Sequence, residues 1–161
     1  GFGHVWLRRP AADGSQGRAW VVAEELTQPV DEALGTAWAA AVARRDRLAA
    51  GAGAGDAVGD PALAALRGLH LRVAADVTEE RHQRFGAEHP EVILARQGSG
   101  FRRVARLDTA TAGVLSASDG ELSVGQLVGA VAALLELDDV GRAGLLAALR
   151  ELYEDGFLVE G

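Results

Sequence analysis

The chain has 161 residues, 48% of them hydrophobic, with 16 basic and 23 acidic side chains and a net charge of −7. That length suits one ordinary domain or two small ones, a single body burying about two-thirds of its unfolded surface. Cysteine is absent, which excludes a disulfide framework, a thiolate zinc site and a cysteine nucleophile. No apolar run approaches the ~20 residues of a membrane span and no signal peptide is visible, so a cytoplasmic protein without membrane association is expected.

In chain order, GFGHVWLRRP (residues 1–10) alternates Phe2, His4, Trp6 and Arg8 with Gly3, Val5, Leu7 and Arg9, the period of a strand. GRAWVVAEEL (17–26) reads as a second strand, and the Asp-Gly turn signal between them predicts an antiparallel hairpin. Residues 29–50 read as an Ala-rich helix with an irregular start near Leu34, because Gly35 weakens its early part. Arg44, Arg45 and Arg47 then fall near its C-terminal end, where the dipole favours cations. AGAGAGDAVGDP (50–61) fails the GxGxxG spacing of a phosphate loop, and a helix precedes it where a strand should stand. It reads as a flexible linker.

PALAALRG (61–68) predicts a short helix with Pro61 in its first turn. Three strands are expected next, over residues 69–83, 91–98 and 101–108, with Gly98-Ser99-Gly100 joining the last two as a hairpin and 84–90 a loop. From Asp108 the period changes. Residues 108–118 suggest a helix capped by Asp108, and Asp119-Gly120 a turn. Ser123 and Gln126 stand in capping-box positions for a helix whose apolar face is Val124, Leu127, Val128, Val131, Leu134 and Leu135. Residues 138–155 predict a further helix stopped by Gly156, and FLVE a closing strand.

The fold class expected is α+β: an antiparallel N-terminal sheet with packed helices in residues 1–107, then a winged-helix-like module in 108–161. Charge divides at the same place. Residues 1–107 hold 14 arginines against 13 acids, and residues 108–161 hold Arg142 and Arg150 against ten acids.

Candidates for chemistry are few. His82 and His89 lie near Glu79, Glu80, Glu88 and Glu91, but the spacing matches no metal-ligand pattern, and solvated side chains are expected. His4 and His70 suit packing or a surface hydrogen bond. Ser116, Ser118 and Ser123 adjoin helix ends, where capping accounts for them, and no His–acid relay has recognisable spacing. The winged-helix likeness invites a nucleic-acid reading, yet the helix in the recognition position is acidic, so DNA binding by that face is not expected. The arginines on the first helix and on the hairpin (Arg96, Arg102, Arg103 and Arg106) leave two alternatives open. They form a small RNA-contacting surface, or they pair within the chain with the acidic module. In a strand, Arg102 and Arg106 share a face and Arg103 points away.

GFGHVWLRRP with its hairpin partner, and RVARLDTATAGVLSASDGELSVGQLVGAVAALLELDD, resemble the C-terminal part of an actinobacterial family of class I S-adenosylmethionine-dependent methyltransferases related to the HemK-like glutamine-N5 enzymes. Residues 1–9 and 107–135 carry the resemblance most specifically. It implies that residues 1–10 are one of the last strands of a catalytic sheet and that this chain is the tail of a longer enzyme. The family's glycine-rich cofactor loop, ribose-binding acid and Asn-Pro-Pro-Tyr-type motif have no counterpart here. No catalytic, cofactor-binding or metal residue is therefore assigned to any position. The function implied is an accessory region, not catalytic alone, whose parent uses S-adenosyl-L-methionine. Its expected partners are the catalytic half of the same polypeptide and a protein or RNA substrate. A stand-alone protein-interaction module is the other alternative. Strands 1–26, if left with open edges, are expected to pair with a second copy as a homodimer or to dock back on their own sheet.

Overall fold

The computed structural model describes residues 21–30, 33–51 and 60–161. Among them, helix α1 (Gly35–Gly51) begins where Gly35 was expected to loosen the start, its first turn closed by Trp38 N–H donating to Leu34 O at 2.9 Å. Helix α2 (Pro61–Arg67) carries Pro61 where its missing N–H costs nothing, and Asp60 caps it by accepting from Ala62 N. Strands β1 (His70–Val73), β2 (Val77–His82), β3 (Val92–Gln97) and β4 (Val104–Leu107) follow. Helix α3 (Thr109–Ser116) is capped by the Asp108 carboxylate at 2.7 Å from Thr111 N. Strand β5 (Asp119–Ser123) leads into α4 (Val124–Leu134), whose Ser123–Gln126 capping box is complete. Helix α5 (Asp139–Asp155) ends at Gly156, and β6 (Leu158–Glu160) closes the described fold.

These elements make an α+β fold with two three-stranded antiparallel sheets, ordered β5–β1–β6 and β2–β3–β4. The β3–β4 hairpin stands as expected, with Ile93 opposite Leu107 and Arg96 opposite Val104. Three expectations are corrected. Residues 69–83 are not one strand: the chain leaves the first sheet after Val73 and enters the second at Val77. Asp76 makes that corner, its carboxylate accepting from Ser99 N and Oγ and its carbonyl from Gly98 N. Aspartate suits a corner far better than a ladder.

Asp119-Gly120 is not a free turn but lies inside β5. Its turn chemistry survives as an irregularity in the β1–β5 register, where Gly120 has φ +95° and the Asp119 carboxylate accepts from Glu121 N. Residues 21–26 form no strand; the rest of the expected N-terminal hairpin (residues 1–20) lies outside the described residues, as does most of the expected linker. The described sheet of the first region is β2–β3–β4.

One hydrophobic cluster runs through the molecule, from Leu48 and Leu66 through Leu71, Ile93 and Leu107 to Val114, Val128, Leu149, Tyr153 and Phe157. Residues on both sides of position 108 contribute to it, and β1, from before that position, is the central strand between β5 and β6. The α4 apolar face is shorter than its pattern: Val124, Leu127 and Val128 are buried, Val131 partly so, and Leu134 and Leu135 lie beyond the core's edge. No helix among the described residues is long and apolar enough to cross a membrane.

Candidate functional site

Among the described residues, charge gathers where the C-terminal end of α5 meets α1 and the β3–β4 hairpin. A helix end leaves carbonyls without intrahelical partners and carries partial negative charge, so cations are favoured there. Arg44 Nε and Arg45 Nη1 both donate to Glu154 O at 3.3 Å, and Arg103 Nη1 donates to Asp155 O at 3.1 Å. Arg45 also meets the Glu154 and Asp155 carboxylates, at 3.6 and 3.4 Å. Gln97 completes the set. Its Nε2 donates to Asp155 O at 2.9 Å while its Oε1 accepts from Arg103 N.

Arg103 is the hub, with 6% of its surface exposed. Its guanidinium forms a two-pronged pair with Glu24, at 2.7 Å from Nε and 2.5 Å from Nη2, and sits 4.3 Å above the Phe101 ring. Phe101 in turn meets Trp38 of α1 edge-on at 5.1 Å, and its carbonyl accepts from Gln28 Nε2. Residues 21–30 are thus fastened to the hairpin at two points. Three arginines face three carboxylates, those of Glu24, Glu154 and Asp155.

Of the arginines whose role the sequence left open, Arg44, Arg45 and Arg47 meet the acidic module, Arg103 meets both Glu24 and the module's Asp155 carbonyl, and Arg96 pairs within the first region. Arg44, Arg45 and Arg47 do not serve the end of their own helix, whose last turn carries no cation. Arg44 and Arg45 serve the end of α5, and Arg47 meets Glu160 at 3.5 Å. Arg96 pairs with Glu80 on β2 at 2.7 Å, and that partner holds the Glu80 carboxyl below the usual range. Arg103 points away from Arg106 as strand alternation requires, and into the protein. Arg102 and Arg103 both precede β4, and Arg102, with φ +50°, is exposed as Arg106 is.

Burial raises the Asp155 carboxyl above its ordinary pKa of 3.8, against the pull of Arg103 and Arg45 and with Glu24 adding to the rise. The folded state therefore holds that proton more tightly than the unfolded chain. Ionising Asp155 costs stability as pH climbs through the raised value; below 3.8 the cost is absent. Asp155→Asn is expected to leave stability at pH 7 unchanged or slightly higher, with the difference from wild type closing as pH falls toward 3.8. Urea midpoints from pH 3 to 7 check this; a clear loss at pH 7 would mean the ion pairs outweigh burial.

The other candidates are dispersed. His82 is exposed and 3.7 Å from Glu80, Arg81 pairs with Glu79, Arg84 pairs with Glu91, and Glu88 and His89 are exposed. Among the described residues no three His, Asp or Glu side chains are placed to share a metal ion. His70 Nδ1 lies 3.2 Å from Gly120 O, the surface hydrogen bond expected of it, and His4 lies outside the described residues. Ser116 Oγ and Ser118 Oγ donate to Ala112 O and Val114 O at the end of α3, and Ser123 caps α4. A depression of about 160 Å³ opens between β4 and α5, lined by residues that include Arg106, Asp108, Thr111 and Glu151.

No protein-family model matches the chain, and no curated protein sequence is significantly similar to it. The junction is therefore described by its own residues. Glu24, Gln97 and Asp155 were not singled out by sequence. For Gln97 a signal existed, since it follows Ile93 and Ala95 on the inward face of β3, where a polar side chain needs a buried partner. Glu24 and Asp155 look like any solvated acid.

Proposed function

We propose that this chain is the accessory region of an S-adenosylmethionine-dependent methyltransferase related to the HemK-like enzymes, and that it clasps the polypeptide leading into it. The observation that supports this is the fastening of residues 21–30 to the hairpin through Glu24 and Gln28. Residues 21–26 are the end of the expected hairpin partner (17–26) of the segment that the resemblance assigns to a catalytic sheet; they form no strand here and run along the accessory region instead. A buried arginine gripping that lead-in would hold those strands at a fixed exit. The catalytic half of the same polypeptide is then the first partner, and it carries the cofactor site. This chain alone binds neither S-adenosylmethionine nor its demethylated product, and it works in the cytoplasm on a protein or RNA substrate.

The order α3, β5, α4, α5, β6 is the helix–strand–helix–helix–strand order of a winged helix, with β5 and β6 in one sheet. That order supports a winged-helix-like C-terminal module. Its α5 is no DNA reader in this proposal. Leu145, Leu146, Leu149 and Leu152 are buried, Arg150 is tied to Glu154 and Asp60, and the exposed charges that remain are Asp139 and Glu151 against Arg142. RNA contact by the hairpin is left out too, because Arg96 and Arg103 are taken by internal pairs.

Isothermal titration with the demethylated cofactor tests the proposal, on this chain and on the chain joined to the polypeptide encoded immediately upstream. No saturable heat is expected from the first and micromolar binding from the second. Saturable binding by this chain alone, or an upstream reading frame without a glycine-rich strand-to-helix turn, would sink it.

A further inference from the structure

The corner between α4 and α5 has the opposite character to the junction at the far end of α5. Helix α4 stops at Leu134, and the turn is closed by Leu137 N–H donating to Ala132 O, with Glu136 at φ +52°. That turn tucks Leu137 against the core but leaves Leu134 and Val140 80% and 79% exposed, and Leu135 exposed beside them. A single exposed aliphatic residue is ordinary; here three fall within seven positions, at the end of α4, its C-cap and the first turn of α5, where the core has ceased to cover the chain.

The rim of that patch is acidic and uncompensated. At the far end of α5, Glu154, Asp155 and Glu160 each meet an arginine. At this corner Glu136 and Asp139 form no ion pair with any described residue, and Asp138 serves only the backbone of Gly141. The neighbouring cation, Arg142, is turned back onto Leu137 O. A second copy of the chain would bring like charges together, which costs rather than favours association. An aliphatic centre inside an anionic rim fits a helix with an apolar stripe flanked by cations.

We propose that the α4–α5 corner docks a cationic amphipathic helix of a partner protein, whose aliphatic side chains rest on Leu134, Leu135 and Val140 while its Lys or Arg side chains meet Glu136, Asp138 and Asp139. The docking does not depend on the methyltransferase reading.

The probe is an 18-residue Leu/Lys amphipathic helical peptide, with a Leu/Glu peptide of the same apolar pattern as control, titrated into the ¹⁵N-labelled chain. The Leu/Lys peptide should shift the amides of residues 133–142 saturably, and the Leu/Glu peptide should not. Leu134→Ser with Val140→Ser, and separately Glu136→Lys with Asp139→Lys, should each weaken binding at least tenfold; the first pair should leave the melting temperature unchanged, and the second should lower it only slightly, by the loss of an acid in the first turn of α5. Shifts centred elsewhere, equal binding of both peptides, or wild-type affinity in either double variant would overturn the proposal. So would a concentration-dependent dimer abolished by Leu134→Ser with Val140→Ser, which would give the patch to a second copy.

Discussion

Arg103→Met is expected to destabilise the fold by about 3 kcal/mol and to lower the melting temperature by about 10 °C for a chain of this size. The side chain is almost wholly buried and holds three groups at once: the Glu24 carboxylate, the Asp155 carbonyl and the face of Phe101. Methionine keeps most of the volume but supplies no donor. Glu24 then loses both its hydrogen bonds, and the covered part of its side chain, which is only 33% exposed, regains water only if residues 21–30 lift away. The penalty sits below that of a fully buried broken pair because both carboxylates are partly solvated. Arg96→Met is the matched control, since its pair with Glu80 lies in solvent and its loss should leave the melt unchanged. Thermal unfolding by circular dichroism separates the two variants, and limited proteolysis should cut Arg103→Met first within residues 21–30. If both variants melt alike, Arg103 is not the hub that its geometry indicates.

The contrast explains what could be read from sequence and what could not. Helix ends were legible because their causes are local: Asp108 and Ser123 each bond a backbone N–H three residues on, and Pro61 fits the first turn of α2. The β3–β4 hairpin was legible for the same reason, since its turn is a short glycine-bearing link. Val124, Leu127 and Val128 announced themselves by helical period. The same period overreached at Leu134 and Leu135, because a repeat tells which side chains share a face but not where the neighbouring core ends. The split of residues 69–83 between two sheets depends on Ser99 and Gly98 reaching back to Asp76, more than twenty positions away. The junction is more distant still. Arg44 and Arg45 find Glu154 about 110 positions later, and Arg103 finds Glu24 79 positions earlier. Composition showed an acidic C-terminal third and a charge-balanced region before it; only the fold says which charge meets which.

Gly156 joins a local cause to the distant one, and Gly156→Ala is expected to cost about 2–3 kcal/mol. Part of that is backbone. Gly156 has φ +89°, its N–H donates to Tyr153 O and the next N–H, of Phe157, donates to Leu152 O, which is the Schellman closure of α5 with buried Phe157 behind it. An L-residue held in that region loses about 1–2 kcal/mol. The rest is steric, because a Cβ at position 156 would lie 2.7 Å from Arg44 Nη2 and 3.1 Å from Arg44 Cζ. The end of an arginine can usually swing aside cheaply, but here its Nε is held on Glu154 O, and moving it gives up that bond. A double-mutant cycle therefore divides the cost. In an Arg44→Ala background the steric part vanishes and only the backbone part, about 1–2 kcal/mol, should remain, a coupling of about 1 kcal/mol between residues 112 positions apart. Denaturant midpoints of the four proteins measure it. If Gly156→Ala costs the same with and without Arg44, the guanidinium moves freely, and the α5 terminus is closed by its own backbone rather than by the arginines gathered on it.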